Sequence, residues 1–452
     1  MNTIRMPTAL PKWLGLCLAG LSCALASAQG PPAGAVPAPP AAPSVVRLTL
    51  EEAKHRALSN NKLINLATLN AEGKAFAVKA ARADYFPKVS ATAIYLHFDD
   101  DLGTVLTTRG RHVTGPRGTP LVTLPPTTIN VPVIQQDTSF VNVGAVQPLT
   151  DLLKVRQGVR IAQADEDIAR AELEAGVRKL ASGVEQLYWG LLAVRRIQAG
   201  AREGVQGAEL LARTGSLEAR TALVEARQGL QQADRQAADL QEQLLALLDL
   251  PPCTVLELVE PELPVLPFRC ADEVVELAVA NSPEVRQDAA TVQKAEAALK
   301  AGKLDYVPSI AVTGGYLNQT AASYVQQDIG YVGVVGSYTI LDWGKRRNVV
   351  RERQNLVAMA NLKLAQTTDD VGQKARKLFR EAAEAREALQ TADELAALRK
   401  DAEKQAMNPE ALKDPTKLIQ ATKDRALAEV EAIKADLAYR QAVVQLKSLI
   451  GQ

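Results

Sequence analysis

Histidine is the residue type that most often serves metal or acid–base chemistry, and this chain has only three, His55, His97 and His112. No two of them have the spacing of a metal-ligand motif. The sequence also contains no phosphate-binding loop, nucleophile elbow or dinucleotide-binding fingerprint. We therefore expect a protein that is not an enzyme and that uses no metal or cofactor.

Two cysteines are predicted to form a disulfide bond. The chain has four cysteines, and Cys17 and Cys23 lie in an N-terminal segment with the features of a secretory signal. Once that segment is removed, only Cys253 and Cys270 remain, in an oxidising compartment where thiols pair. Two unpaired thiols are the alternative.

The first 28 residues are predicted to be that signal peptide. Arg5 and Lys12 precede an apolar run that ends in Ala26-Ser27-Ala28, a small-residue cleavage site. The run is shorter than the roughly 20 residues that a membrane-spanning helix needs. A lipoprotein site at Cys23 is the alternative, and it is disfavoured because Gly20 stands where leucine is preferred.

The elements that position these residues occur twice along the chain, which indicates that one unit has been duplicated. Two series of residues recur, one shifted by 221 positions and the other by 191. The first series is Asn60, Asp84, Tyr85, Pro87 and Tyr95, which recurs as Asn281, Asp305, Tyr306, Pro308 and Tyr316. The second is Asp151 and Lys154, which recurs as Asp342 and Lys345.

Each repeat is predicted to contain a helix, two strands and a long helical hairpin. A Pro/Ala-rich tether (29–47) precedes the first repeat (48–250), and a connector (251–270) leads to the second (271–452). The predicted strands are 87–96, 139–149, 307–317 and 329–341, and 98–138 is predicted to be a long loop. The predicted helices are 48–83, interrupted near Asn60, 154–213, 220–248, 272–303, interrupted near Pro283, 345–404 and 416–450.

The composition limits the partners of the chain. A net charge of +1 provides no basic surface for nucleic acid. Aromatic residues are only 4% of the chain, and most lie at or near the predicted strand ends, where a membrane-interface girdle would place them. A small soluble sheet with the rings in its core is the alternative. The long helices are instead rich in alanine and leucine, which favours close side-by-side packing.

Several motifs, each present in both repeats and in the same order, resemble those of the outer-membrane efflux proteins, the TolC-like outer-membrane channel family. The resemblance covers residues 48–451, nearly the whole chain after the signal peptide. The motifs are ALSNNKLI (57–64) with AVANSPEV (278–285), DYFPKVS (84–90) with DYVPSIAVTGGY (305–316), VQPLTD (146–151) with TILDWGKRR (339–347), and LLALLDLPP (244–252) with QLKSLIG (445–451).

The resemblance implies a mainly α fold with a small β part. Internally duplicated long helical hairpins would form a trimeric α-barrel that extends into the periplasm, and the four strands of each chain would contribute to a 12-stranded membrane β-barrel. Four strands are too few to close a barrel in lipid alone, so several chains are required on physical grounds as well. The implied location is the cell outer membrane, in contact with outer-membrane lipid.

The implied function is an outer-membrane channel of a tripartite efflux system. Such a channel is a passive duct for small molecules, and it works as a homotrimer with a periplasmic adaptor (membrane fusion) protein and an inner-membrane pump. A type I protein-secretion system that uses the same duct is the closest alternative. A periplasmic coiled-coil scaffold or adaptor without a pore is an alternative from another class.

The tips of the helical hairpins are predicted to form the periplasmic gate. In this family two acidic residues often stand where Lys417 and Gln420 stand here, whereas the first repeat retains Glu218. Three copies of Lys417 would make the entrance less cation-selective, unless this side chain points to solvent. The candidate gate residues are Arg213, Glu218, Lys413, Asp414, Lys417 and Gln420.

A basic run, Lys345-Arg346-Arg347, follows the last predicted strand. Cations at the start of a helix oppose its dipole, which favours contact with lipid headgroups as their purpose. The alternative is that they are only the polar start of a helix.

Overall fold

The computed structural model describes residues 45–451, apart from 101, 115–119, 214–215, 253, 264–267, 269, 323–324 and 408–414. The predicted signal peptide and most of the predicted tether lie outside the described residues. Within them, helices make up most of the chain and strands a small part, as predicted.

Among the described residues, the elements follow the same order in the two halves of the chain, except that the first half has four additional strands and the second a 3-10 turn. The first half contains β1 (Val45–Leu48), α1 (Leu50–Asn60), α2 (Lys62–Ala83), β2 (Lys88–His97), β3 (Leu102–Thr108), β4 (Arg111–Thr114), β5 (Pro120–Leu124), β6 (Thr127–Ile134), β7 (Asp137–Pro148), α3 (Leu152–Ala212) and α4 (Leu217–Leu247). The second half contains β8 (Val255–Leu258), α5 (Ala271–Asn281), α6 (Pro283–Lys303), a 3-10 turn (Leu304–Tyr306), β9 (Ser309–Gln319), β10 (Asp328–Ser337), α7 (Lys345–Ala406) and α8 (Pro415–Ile450).

The first helix of each half breaks where the sequence predicts. Asn61 ends α1 and begins α2, because its side-chain oxygen accepts hydrogen bonds from the backbone N–H groups of Leu63 and Ile64. In the second half Ser282 caps α6 in the same way, and Pro283 occupies the first helical position, where no N–H is required.

Two very long helices carry the architecture. The 61 residues of α3 and the 62 residues of α7 each extend for roughly 90 Å. Helix α3 packs against α2, α4, α6 and α8, and α7 packs against α5, α6 and α8. The seams between them are narrow because the buried residues are small, as the composition predicts. These include Ala164, Ala169, Ala171, Ala375 and Ala382.

A short parallel pair of strands, β1 with β8, was not apparent in the sequence. Val45 pairs with Val255 and Leu48 with Leu258, so the last residues of the predicted tether form a strand with the connector. The hydroxyl of the buried Tyr188 of α3 lies within hydrogen-bond distance of the carbonyl oxygens of Leu48 (2.9 Å) and Val259 (2.5 Å), which share its single proton. This hydroxyl therefore ties both segments to the middle of α3.

The four predicted strands form one antiparallel sheet in the order β10-β9-β7-β2. Within the part of the chain that the structure describes, β2 and β10 are each paired on one side only. The sheet therefore has two open edges, one at each end of the strand order.

The prediction that residues 98–138 form a long loop is wrong. Strand β3 pairs with β6, and β4 with β5, so most of the segment is a β-ribbon that continues the β2–β7 hairpin. The segment is rich in threonine and valine, whose branched side chains favour extended backbone. Its glycines and prolines interrupt the apolar–polar alternation by which a strand is recognised in a sequence. None of the helices in the described residues is long and apolar enough to span a membrane.

Candidate functional site

The two faces of the four-stranded sheet differ in chemistry. Directly paired residues of antiparallel strands lie on the same face, so the register assigns each side chain. One face, called here the apolar face, is formed by Val89, Ala91, Ala93, Tyr95, Val141, Val143, Ala145, Ile310, Val312, Tyr316, Val332 and Val334. Val332 is 88% exposed and Val89 is 72% exposed, so a large apolar surface has no cover within one chain.

The opposite face, called here the mixed face, carries small and polar residues among its apolar ones. It includes Lys88, Ser90, Thr92, Asn142, Gly144, Thr313, Gly315, Gly333 and Ser337. Asn142, Gly144, Gly333 and Ser337 thus share one face, as the alternation of side chains along a strand requires.

Glycine lets one tyrosine lie across the mixed face. The Tyr331 hydroxyl reaches over β9 to donate to Asn142 Oδ1 on β7, at 3.2 Å. A side chain at Gly315 would place its Cβ 2.6 Å from the Val143 carbonyl oxygen and 2.8 Å from the Tyr331 hydroxyl oxygen. Glycine is therefore required at position 315, because any side chain there would block the path of Tyr331 across β9.

A polar cluster occurs twice at the end of the apolar face that lies away from the long helices. In the first repeat the Tyr95 hydroxyl donates to Asp137 at 2.7 Å, and His97 Nδ1 lies 2.8 Å from the same carboxylate oxygen. In the second repeat Tyr316 and Asn318 donate to Asp328. His97 thus contacts a single carboxylate, and no group of three potential metal ligands occurs among the residues that the structure describes.

Charged clusters lie at the other end of the sheet, where strands lead into long helices. The Lys154 ammonium is 3.2 Å from Asp305 and 3.5 Å from Asp151, and Ser309 donates to Asp151 at 2.5 Å. These contacts join the start of α3, in the first repeat, to the segment before β9, in the second. They bind the two repeats of one chain together.

The basic run after β10 is only partly available to lipid. The Arg346 guanidinium lies 4.9 Å from the Tyr338 ring centre and pairs with Asp342 at 3.2 Å. The backbone N–H of Arg346 also donates to Asp342, which lowers the pKa of that carboxyl. Arg346 is thus partly buried and has partners within the chain, whereas Lys345 and Arg347 are exposed, and the headgroup contact of the basic run stays a prediction.

The structure brings part of the predicted gate together at the tips of the helical hairpins. Glu218, in the first turn of α4, accepts a hydrogen bond from the Thr416 hydroxyl at the start of α8, at 3.2 Å. Gln420 instead donates along its own helix to Asp424, at 2.8 Å. Arg213 and Lys417 are exposed at the ends of their helices. Lys413 and Asp414 lie outside the described residues.

Three ion pairs near the tips were missed by the sequence analysis. Lys423 on α8 lies 2.8 Å from Glu225 on α4, which joins the two hairpins. Within the second hairpin, Arg399 pairs with Asp424 at 2.9 Å and Arg425 with Glu403 at 2.8 Å. The hydrogen bond to Glu403 raises the pKa of Arg425 above its ordinary value, so the guanidinium stays charged. No sequence pattern showed which helices are neighbours, and that knowledge was needed to find the pairs.

Two clefts flank the C-terminal half of α3, because Gly200 and Gly204 provide no side chain to fill them. The larger cleft, about 520 Å³, lies between α3, α4 and α8, and Ala226, Ile419 and Val430 also line it. The smaller, about 320 Å³, lies between α3 and the hairpin of α7 and α8.

The predicted disulfide is not tested by the structure. Cys270 is exposed and has no disulfide partner among the described residues. Cys253 lies outside them, so the Cys253–Cys270 bond stays a prediction.

Comparison with known proteins places the fold among bacterial outer-membrane channels. No protein-family model and no curated protein matches the chain. Among solved structures, a membrane protein from Pseudomonas aeruginosa has a TM-score of 0.71 at 16% identity, over 89% of this chain and 93% of that one. The open-state MtrE outer-membrane channel of Neisseria gonorrhoeae has a TM-score of 0.70 at 16% identity, over 89% of this chain and 88% of that one. CusC, described in terms of transmembrane channel formation, has a TM-score of 0.70 at 13% identity, over 89% and 91%. The resemblance to TolC-like channels is thus confirmed in the fold.

Proposed function

We propose that the protein is an outer-membrane duct that exports small molecules, formed by three copies of this chain. The observation that carries the proposal is the open-edged sheet with one uncovered apolar face, continuous with helices long enough to cross much of the periplasm. The apolar face is the surface that lipid would cover, and the mixed face is the surface that water in a pore would contact.

The open edges of the sheet support a ring of several copies. Unpaired strand edges are not tolerated in lipid, because their N–H and C=O groups have no partners there. Strands β2 and β10 would satisfy each other between neighbouring copies, and three copies of four strands make a twelve-strand barrel. Such a barrel leaves a wide lumen when its inner face carries small residues.

The helix tips are then the narrowest part of the duct, because they bring charged side chains together around the threefold axis. We propose that Glu218–Thr416 and Glu225–Lys423 hold the two hairpins of each chain together in the closed state. The two pairs are exposed or half-exposed, so each contributes less than about 1 kcal/mol. A docking partner could release them, since a protein–protein interface is much stronger in total.

The partners are proposed from the resemblance and from the clefts beside α3. A periplasmic adaptor protein would dock at the hairpin tips, and an inner-membrane pump would supply energy that a passive duct lacks. The cleft lined by Gly200, Gly204 and Ala226 is mostly apolar, and we propose that it receives an apolar helix of the adaptor.

The test is conduction by the purified full chain. We expect it to fractionate with outer membranes, to have the mass of three chains in detergent, and to conduct ions in a planar bilayer. A periplasmic monomer without conductance would contradict the proposal and would favour a coiled-coil scaffold.

A further inference from the structure

We infer that β10 of one copy pairs with β2 of the next copy in the register that β7 and β9 already use inside one chain, and that Lys345 of one copy binds Asp84 of the next. This inference rests on the proposed ring of three copies, and it specifies the contacts that close the ring.

The two hairpins of the sheet, β2–β7 and β9–β10, are equivalent residue by residue. In the first hairpin Lys88 pairs with Val146, and in the second Ser309 pairs with Ser337. Ser309 follows Lys88 by 221 positions and Ser337 follows Val146 by 191, the same shifts that the sequence repeat shows. The repeat therefore maps each paired residue of the first hairpin onto its counterpart in the second.

The chain already contains one junction between repeats, the pairing of β7 with β9. Strand β7 leaves the first repeat, β9 enters the second, and they pair with Val146 opposite Thr313. Strands β10 and β2 are the equivalent leaving and entering strands at the open edges. Applying the two shifts to the β7–β9 junction places Ser337 opposite Thr92 of the partner subunit, and Val335 opposite its Ile94.

The faces agree with this register. Ser337, Val335, Thr92 and Ile94 all lie on the mixed face of the sheet. Pairing them keeps the apolar face continuous from copy to copy, whereas a slip by one residue would reverse it.

An ion pair reinforces the junction between the two repeats. Inside one chain Lys154 of the first repeat binds Asp305 of the second, at 3.2 Å. The equivalent residues are Lys345 and Asp84, which lie beside the two open edges and are both exposed. They have opposite charges, so the contact that joins the repeats within a chain can form again between chains.

The helices show the same relationship through burial. Ala290 and Ala297 on α6 are 4% and 3% exposed, in the helix that packs against α3. Their equivalents on α2, Leu69 and Phe76, are each 63% exposed. At the positions where α6 buries alanines against α3, α2 therefore exposes large apolar side chains.

The helix at the other open edge has the complementary feature. Leu362 on α7 is 72% exposed, whereas its equivalent on α3, Ala171, is 6% exposed. If α7 of one copy packs against α2 of the next, Leu362 of the first copy and Leu69 and Phe76 of the second would cover one another.

The test is disulfide cross-linking of the full chain in membranes, with Cys253→Ser and Cys270→Ser to remove the native thiols. Directly opposed residues of paired strands have the Cα separation that a disulfide needs, and residues displaced by two positions do not. We expect Thr92→Cys with Ser337→Cys to cross-link between chains at least tenfold more than Ile94→Cys with Ser337→Cys. The largest covalent species should contain three chains.

The outcomes separate the inference from the proposed function. Conducting trimers that cross-link better through Ile94→Cys would overturn the register and leave the duct intact. Non-conducting monomers would overturn both.

A charge exchange provides a second test that needs no cysteine substitution. Asp84→Lys or Lys345→Asp alone should lower the temperature at which trimers dissociate, and the double variant should restore part of the loss, because Asp84 also pairs with Lys88 of its own chain, at 3.0 Å. The exchange of Lys154→Asp with Asp305→Lys is the matched control. It alters the equivalent ion pair within one chain, so it measures the effect of such an exchange where no contact between copies is involved. Equal loss in the single and double variants at Asp84 and Lys345 would overturn the inferred contact.

Discussion

Lys423 on α8 lies 2.8 Å from Glu225 on α4, and this pair connects the two helical hairpins of the chain near their tips. Closer to the tips, Glu218 and Thr416 form a second connection between the same two helices. Both connections link a residue of the first repeat to one of the second. Both are weak, and in the proposed duct their opening would widen the entrance at the helix tips.

Charge reversal at this connection should open the gate. We expect Glu225→Lys to raise single-channel conductance in a planar bilayer, because it replaces attraction to Lys423 by repulsion. The exchange variant, Glu225→Lys with Lys423→Glu, should return the conductance to the original value. Glu431→Lys, which disrupts the exposed pair of Glu431 with Lys434 on α8 alone, is the matched control and should change nothing.

The predicted gate residues nearer the tips are tested in the same way. Glu218→Lys and Lys413→Glu should each raise the conductance, since both reverse a charge of the predicted gate. Unchanged conductance in both variants, with trimers intact, would show that the constriction lies elsewhere.

Acid should weaken the contact between α3 and α6 through Glu174. Burial raises the pKa of this carboxyl, but hydrogen bonds from Arg286 (2.8 Å) and Arg178 (2.5 Å) outweigh it and hold the pKa below its ordinary value. A lowered pKa in the folded state means that the stabilisation is complete above the ordinary carboxyl pKa, about 4.3, and is lost as the pH falls through the folded-state pKa.

Thermal unfolding as a function of pH would measure this effect. Glu174→Gln should lower the melting temperature at pH 7, by an amount that corresponds to about 1 kcal/mol or less because Glu174 is partly exposed. The difference from the unmodified protein should shrink at strongly acidic pH. A difference that stays constant with pH would show that the charge of Glu174 is not its source.

The connector should carry a disulfide between Cys253 and Cys270. The non-reduced, denatured protein is expected to contain no free thiol, and Cys270→Ser should expose one. A closed loop of about 18 residues contributes on the order of 3 kcal/mol to stability in the chain-entropy model. Two thiols in the unreduced protein would contradict the bond.

Tyr188 should stabilise the chain through its hydroxyl. Tyr188→Phe leaves the carbonyl oxygens of Leu48 and Val259 without this donor, while the ring continues to fill the core. We expect a loss of about 1–3 kcal/mol in the free energy of unfolding. Tyr439→Phe removes the hydroxyl of another buried tyrosine and provides the comparison. An equal loss in both variants would show that the two carbonyl contacts of Tyr188 have no special weight.

The sequence alone determined the repeat, the long helices and the four strands of the sheet. These features depend on local properties: the helical period of alanine and leucine, the alternation along Val89 to Tyr95, and caps such as Asn61 and Pro283.

Only the tertiary structure decided which distant segments are neighbours. The β1–β8 pair is four residues long and joins segments more than 200 positions apart, so no local period reveals it. The ribbon within 98–138 was missed because glycine and proline interrupt its alternation. The pairing of Lys423 with Glu225 depends on the packing order of α4, α3 and α8, which is set by burial of apolar surface between helices. Those contacts are non-local, so the sequence around each residue does not indicate which distant residue it contacts.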